Sequence, residues 1–348
     1  MIAIYIGNAI GSNGPKGFAP VNTVTPVISG TNAVGQTLTT TNGTWTGIPS
    51  PTYTYQWKRD GSNIGGATSV TYVLVEADAD TNVTCEVTAT NALGAASATS
   101  NSLYIFTAEY KAVLDKALSF TPTPYTLPTT ATQQKQNKLL KSMKADGVWA
   151  KLDVFYVFAQ DGSAEFATLN WKNPSANQAN ITSSPAFVVN GGFTGNGTSS
   201  YIDTNFNPAT QGVQYTQNNA SRYFFTHAIG TGRFDGNTSG INSITLGVIG
   251  SQRINSGANN AVPSIDINST ANTKSIHRTS STAITAYNST TSQIAVQTSA
   301  AMASANQWIL RSSGNYGTHT CAAYGMGASM ISEHSAFIAD WNTYKNSL

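Results

Sequence analysis

Acid–base chemistry in this chain would fall to Asp153, Asp161, Glu165, Asp203, Asp235, Asp266, Glu333 or Asp340, acids scattered singly along its C-terminal part. Cleaving a glycosidic bond takes two carboxyl groups flanking the bond, about 5 to 9.5 Å apart. No strand-like stretch alternates acids so as to set such a pair on one face. Asp153 and Glu165 could meet across a hairpin, although solvated strand acids are the plainer account of both. His227, His277, His319 and His334 lack pairwise ligand spacing and have no companion cluster of Cys or Asp, so no transition-metal site is expected. No serine sits in a Gly-x-Ser-x-Gly elbow, and no phosphate-binding glycine loop precedes a helix. On these residues alone the expectation is a chain that is not an enzyme.

Composition points to a surface instead. Charged residues are only 10% of the 348, against about a quarter in an ordinary soluble chain, and Thr, Ser, Asn, Gly and Ala take their place. With 40% hydrophobic and 10% aromatic residues the chain can still bury cores. A net charge of +2, with 18 dispersed Lys and Arg, gives no footprint for nucleic acid. The two cysteines, Cys85 and Cys321, fall in different expected domains, so no disulfide framework is expected and both read as buried thiols. The opening Met1–Asn8 is too short for an export signal or a membrane span. A surface-type chain without export signal or disulfides is expected to assemble in a host cytoplasm and leave by lysis.

The elements that would have to position any site read as strands. Residues 1–19 form an arm, apolar at Ile2, Ile4 and Ile6, then rich in Gly, Asn and Pro. Its alternation makes a strand without a partner, suited to docking on another subunit's sheet edge. In residues 20–106, Tyr53, Tyr55 and Trp57 share one face against Thr52, Thr54, Gln56 and Lys58, and Asp60-Gly61 closes the run as a turn. Val83, Cys85 and Val87 alternate with Thr84, Glu86 and Thr88 toward a hairpin at Asn91–Gly94. About seven such strands argue an antiparallel sandwich.

The run Tyr55-Gln56-Trp57-Lys58-Arg59-Asp60-Gly61, followed by Asn82-Val83-Thr84-Cys85-Glu86-Val87-Thr88-Ala89-Thr90-Asn91, resembles an immunoglobulin-like domain. The resemblance makes Trp57 the core tryptophan and Cys85 the cysteine of the facing strand. No cysteine stands in Gln36–Thr41, so the inter-sheet bridge is missing, and Val83 occupies the usual place of a corner tyrosine. With Gly35-Gln36 and Gly43-Thr44-Trp45, this bridge-less form resembles modules inserted in tailed-phage structural proteins.

Residues 107–131 are Pro/Thr-rich and read as a linker. Residues 132–146 predict a helix, with an apolar stripe of Leu139, Leu140 and Met143 and with Gly147 at its C-terminal cap. Val148 to Phe158 predicts a strand buried on both faces. Strands and turns continue to Met330. A closing helix is expected after Ser332 as N-cap, with Phe337, Trp341, Tyr344 and Leu348 on one face.

Over residues 132–348, Gly195-Asn196-Gly197-Thr198-Ser199-Ser200-Tyr201-Ile202-Asp203, Ser275-Ile276-His277-Arg278-Thr279, Ala286-Tyr287-Asn288, Trp308-Ile309-Leu310-Arg311-Ser312 and Gly325-Met326-Gly327-Ala328-Ser329-Met330-Ile331-Ser332 together resemble a laminin-G-like, concanavalin-A-like jelly roll. The fold class is therefore all-β: an Ig-like sandwich plus a larger jelly roll with a leading and a C-terminal helix. No cofactor is required by the sequence, but the resemblance implies Ca2+ at the sandwich rim, with Asp203 and Asn205, or Asp235 and Asn237, as ligand candidates. Glycan binding at the rim would use Tyr201, Tyr215, Tyr223 and Tyr316. Together these readings imply a virion structural protein, a head or tail fibre or capsid decoration at the virion surface. It would dock on capsid or tail proteins through its arm, adhere to host-surface polysaccharide and assemble as a homo-oligomer, with a trimer favoured. A polysaccharide depolymerase on the same jelly roll and a bacterial surface adhesin are the alternatives.

Overall fold

The computed structural model describes residues 17–236, 243–246, 252–255, 264–265, 273–288, 291–296, 302, 304–312 and 314–348. The chain divides into two units, Met1–Phe106 and Thr107–Leu348. Antiparallel sheets dominate both, so the chain is all-β. The arm residues Ile2, Ile4 and Ile6 lie outside the described residues, as does Asn237.

In the smaller unit, strands Ile28–Ser29, Thr37–Thr40 and Thr71–Val73 form one sheet. A second sheet is built on Thr52–Arg59 and Asn82–Asn91, with Ser62–Asn63, Gly94–Thr99 and Leu103–Tyr104 added to it. The alternation seen in the sequence sends Trp57, Val83, Cys85 and Val87 inward to meet Ile28, Leu38, Leu74 and Ile105. Trp57 stands opposite Cys85 in register. Its ring stacks on Tyr72 at 5.6 Å, and its Nε1 donates to the Ser69 carbonyl at 2.9 Å. Asp60 (φ 45°) and Gly61 (φ 81°) both take the left-handed conformation that a two-residue hairpin turn requires.

The larger unit carries an eight-stranded antiparallel sheet among the described residues. Its centre is Thr320–Gly327 between Ala220–Ala228 on one side and Gly192–Thr194 and Leu152–Val157 on the other. Thr273–Arg278, Ala283–Asn288 and Thr291–Val296 extend it outward. A short sheet in the order Asn180–Thr182, Tyr201–Asp203, Trp308–Ile309, Asp235–Gly236 closes over one face. Between them lies a core that includes Tyr156, Phe193, Ile202, Phe224, Phe234, Ile309 and Tyr324. The C-terminal helix His334–Ser347 covers the opposite face, with Phe337 4.7 Å from Tyr223 and Trp341 4.7 Å from Phe225 between ring centroids.

Three local expectations need correction. The supposed linker contains a helix, Ala108–Leu118, capped by the Thr107 hydroxyl, with Tyr110, Val113, Leu114 and Ala117 buried at helical spacing. The apolar run from Val148 starts as one helical turn, Val148–Lys151, and becomes a strand only at Leu152. Ser332 does not cap the last helix: its hydroxyl donates to Glu333 at 2.8 Å, and Glu333 holds the cap position. The leading helix, Thr130–Ala145, is followed by Gly147 at φ 76°, the conformation a helix-terminating glycine supplies.

Candidate functional site

On the short sheet of the larger unit, Ile202 and Ile309 pair in register and point into the core. Strand alternation then turns Tyr201, Asp203 and Trp308 to the outer face. Regular alternation would send Arg311 to the other side from Trp308. Leu310 prevents this by adopting φ 67°, which reverses the chain just before the hairpin Arg311–Ser312/Asn315–Tyr316. Its side chain is fully buried, so packing holds a backbone conformation that leucine alone disfavours.

Four side chains gather as a result. The Arg311 guanidinium carbon lies 4.0 Å from the Trp308 ring centroid, 4.5 Å from that of Tyr201 and 5.1 Å from that of Tyr316. Tyr201 is 5.3 Å from Trp308 and 6.3 Å from Tyr316, centroid to centroid. Trp308 Nε1 donates to Asp203 Oδ2 at 3.2 Å, which fixes the indole in its plane. Trp308 is 8% exposed, while Tyr201, Arg311 and Tyr316 are half-buried. Rings of this kind offer flat apolar faces to sugar C–H groups, and a stacked guanidinium still projects planar N–H donors from its edge.

The four tyrosines proposed from the sequence therefore separate. Tyr201 and Tyr316 come together on the outer face. Tyr215 lines a different feature, a surface cleft, and burial pushes its phenol up. Tyr223 is not a rim residue at all. It is fully buried under the C-terminal helix, its hydroxyl 3.1 Å from His334 Nδ1, and burial drives its phenol well above the ordinary value. Its strand partner Arg222 points to the opposite face, and that one-residue parity decides the matter.

Of the residues named for calcium, the described ones, Asp203, Asn205 and Asp235, are engaged within the fold. Asp203 Oδ1 accepts from the Asn205 backbone N–H at 2.8 Å, an Asx turn, and Asn205 donates to the Gln178 carbonyl at 2.7 Å. Asp235 is fully buried, with Oδ2 3.1 Å from Arg222 Nη1 and accepting from the Tyr324 hydroxyl at 2.7 Å. Among the described residues no group of three or more His, Cys, Asp and Glu could hold a metal ion. Asp153 and Glu165 occupy different surroundings. Asp153 accepts from the backbone N–H groups of Val213, Gln214 and Tyr215 at 2.7–3.1 Å, whereas Glu165 sits in the first turn of the short helix Ala164–Ala167.

Trp308 and Arg311 were not singled out as site residues from the sequence. A Trp and an Arg flanking an Ile-Leu pair on a short strand was the available signal, but Leu310's conformation is what brings the two to one side.

No family model and no curated protein matches the chain. Solved structures similar to it include Trypanosoma rangeli sialidase with sialic acid (11% identity, TM-score 0.40, 92% of this chain and 53% of that one). Domain 4 of AbnA, a GH43 extracellular arabinanase from Geobacillus stearothermophilus, in complex with arabinotriose, aligns at 14% identity and TM-score 0.34, over 54% of this chain and 98% of that one. A GH54 α-L-arabinofuranosidase aligns at 13% and 0.32, over 44% and 41%. The chain thus spans about half the length of the sialidase and less of the arabinofuranosidase. The expectation of a chain that is not an enzyme is corrected by these neighbours, which are glycosidases or a glycosidase domain. At these scores they name no reaction or substrate for this chain.

Proposed function

We propose that the larger unit recognises glycan chains on the outer face of its short sheet. The observation that carries this reading is the gathering of Tyr201, Trp308 and Tyr316 around Arg311, held by the buried Leu310 and by the Asp203–Trp308 hydrogen bond. A sugar ring stacks on the aromatic faces while the guanidinium edge donates to its hydroxyls. Titration of the full chain with a panel of bacterial surface polysaccharides tests it. Binding that Trp308→Ala weakens by roughly tenfold supports the platform. Binding indifferent to Trp308→Ala and Tyr316→Ala removes it.

A second reading, polysaccharide cleavage, is favoured by the carboxylate of Asp203 beside the same platform. It requires a second carboxyl group about 5–9.5 Å away across the bound bond. Release of reducing ends from a bound polysaccharide, abolished in Asp203→Asn while binding persists, supports cleavage. A setting on a virion surface, with the arm of residues 1–19 as the docking segment and a trimer as the assembly, rests on the sequence resemblance. Particle incorporation of a chain lacking residues 1–19, and the mass of the assembly in solution, test those two points.

A further inference from the structure

A second feature of the larger unit has no part in the platform. On the inner face of the large sheet, strand alternation places Lys274, Ile276 and Arg278 in one row, with Phe224, Arg222 and Ala220 opposite them in register. Three cations thus share one sheet face. Lys274 is 1% exposed, Arg222 2% and Arg278 7%. Asp235 supplies a carboxylate to this face through its pair with Arg222. Lys274 donates to Asn288 Oδ1, and burial brings its ammonium down to about 8.

At the edge of this face an open cleft with about 30 Å3 of space is lined by both arginines. That space takes a group of about two water molecules' size, such as a carboxylate, and leaves the rest of any ligand at the mouth. Its walls include Tyr215, Gln217, Ile276 and Met302, with no acidic residue among the described ones. The two guanidinium groups differ. Arg222 is locked in place by Asp235, which raises it above the ordinary arginine value despite full burial. Arg278 donates to the carbonyls of Ser280 and Ser281 at 3.4 Å, and burial lowers it. The wall opposite is equally fixed, since Asp153 holds the backbone of Val213–Tyr215 through its hydrogen bonds.

We propose that this cleft binds the carboxylate of an acidic glycan, a uronic acid unit, between the guanidinium groups of Arg278 and Arg222. A planar carboxylate matches the guanidinium fork in a way that a point cation does not demand. Ile276 and Met302 supply apolar contact for the sugar ring, and the Gln217 amide is of the kind that recognises its hydroxyls. That the anion belongs to a sugar rests on the glycan reading above; that the cleft takes an anion does not.

The test is calorimetric titration of the full chain with trigalacturonate and with its neutral, carboxyl-reduced counterpart. Trigalacturonate is expected to bind at least tenfold tighter than the neutral trisaccharide. Arg278→Gln, with an unchanged thermal midpoint, closes that gap, and Arg278→Lys restores only part of it. Trp308→Ala weakens both sugars alike if the platform also binds them and leaves the gap between them intact, so the two sites fail separately. Equal affinity for the acidic and neutral sugars overturns the proposal, as does a gap that survives Arg278→Gln. A rise in thermal midpoint with sulfate or phosphate that Arg278→Gln removes, without trigalacturonate binding, overturns the sugar assignment and leaves an inorganic anion site.

Discussion

The two units bury charge in opposite ways. In the smaller one the buried carboxylate Asp78 acts as a staple, receiving Arg59 at 2.7 Å, the Tyr72 hydroxyl at 2.9 Å and the Val75 N–H at 2.8 Å. Arg59 keeps 29% of its side chain in water. In the larger unit Arg222, Asp235, Lys274, His277, Arg278, His319 and His334 are all buried, several of them on the inner face of one sheet. A core needs none of these groups, and each charge taken out of water is expensive unless partnered. The contrast marks the smaller unit as a packed sandwich and the larger as the one whose interior is arranged around polar chemistry.

Truncating the smaller unit's core and unpairing the larger unit's buried arginine should have the largest effects. Trp57→Ala removes the largest ring of a fully buried cluster and should lower stability by about 3–5 kcal/mol, read from the denaturant midpoint. Asp235→Ala should cost a similar amount, about 3–5 kcal/mol, because Arg222 is left charged and buried. Asp78→Ala should cost less, about 1–3 kcal/mol, since water reaches Arg59. Equal losses for the two acids would erase the distinction between staple and buried network.

Acid sensitivity should belong to the larger unit, which contains all four histidines. Burial, and for His277 also the neighbouring His334, holds His277 well below 6.5; burial brings His319 down to about 4. Both are neutral in the fold where the unfolded chain would protonate them. The unfolded state therefore binds more protons below pH about 6.5, and stability falls from there toward pH about 4, by up to about 1.4 kcal/mol per pH unit for each histidine. Asp340 works in the other direction. Burial, with Asp146 nearby, raises it to about 7, so its folded state holds a proton the unfolded chain has lost, and stability declines as pH rises from about 4 to about 7. Its Oδ2 is buried without a hydrogen-bond partner. Asp340→Asn should thus raise the thermal midpoint at pH 8, leave it little changed at pH 4 and steepen the acid fall between. A midpoint unaltered at pH 8 would refute the buried-carboxyl account.

How much of this was legible depended on how far each feature reached along the chain. The Asp60-Gly61 turn, the inward Trp57 and Cys85, and the helix ending at Gly147 are local patterns, and the sequence carries them in full. The helix Ala108–Leu118 was legible as well, through the Thr107 cap and the spacing of Tyr110, Val113, Leu114 and Ala117, but the prolines downstream drew that stretch into a linker. The platform was not legible. Tyr201 meets Trp308 because the strand Tyr201–Asp203 pairs with Trp308–Ile309, a choice made by tertiary packing across more than a hundred residues. Leu310 then redirects Arg311 with no signature in its own residue type. Tyr223 failed for a simpler reason: on a central strand buried on both faces, aromatic content does not reveal which residues approach solvent.

The central claim is that the Trp308 platform holds glycan. Titrating a bound polysaccharide into the full chain and into Trp308→Ala, with folding verified by the thermal midpoint, tests it most directly. The account predicts a loss of affinity on the order of tenfold in a variant that stays folded at the assay temperature, its midpoint lowered by the truncation of a buried ring. Undiminished affinity in Trp308→Ala would contradict it.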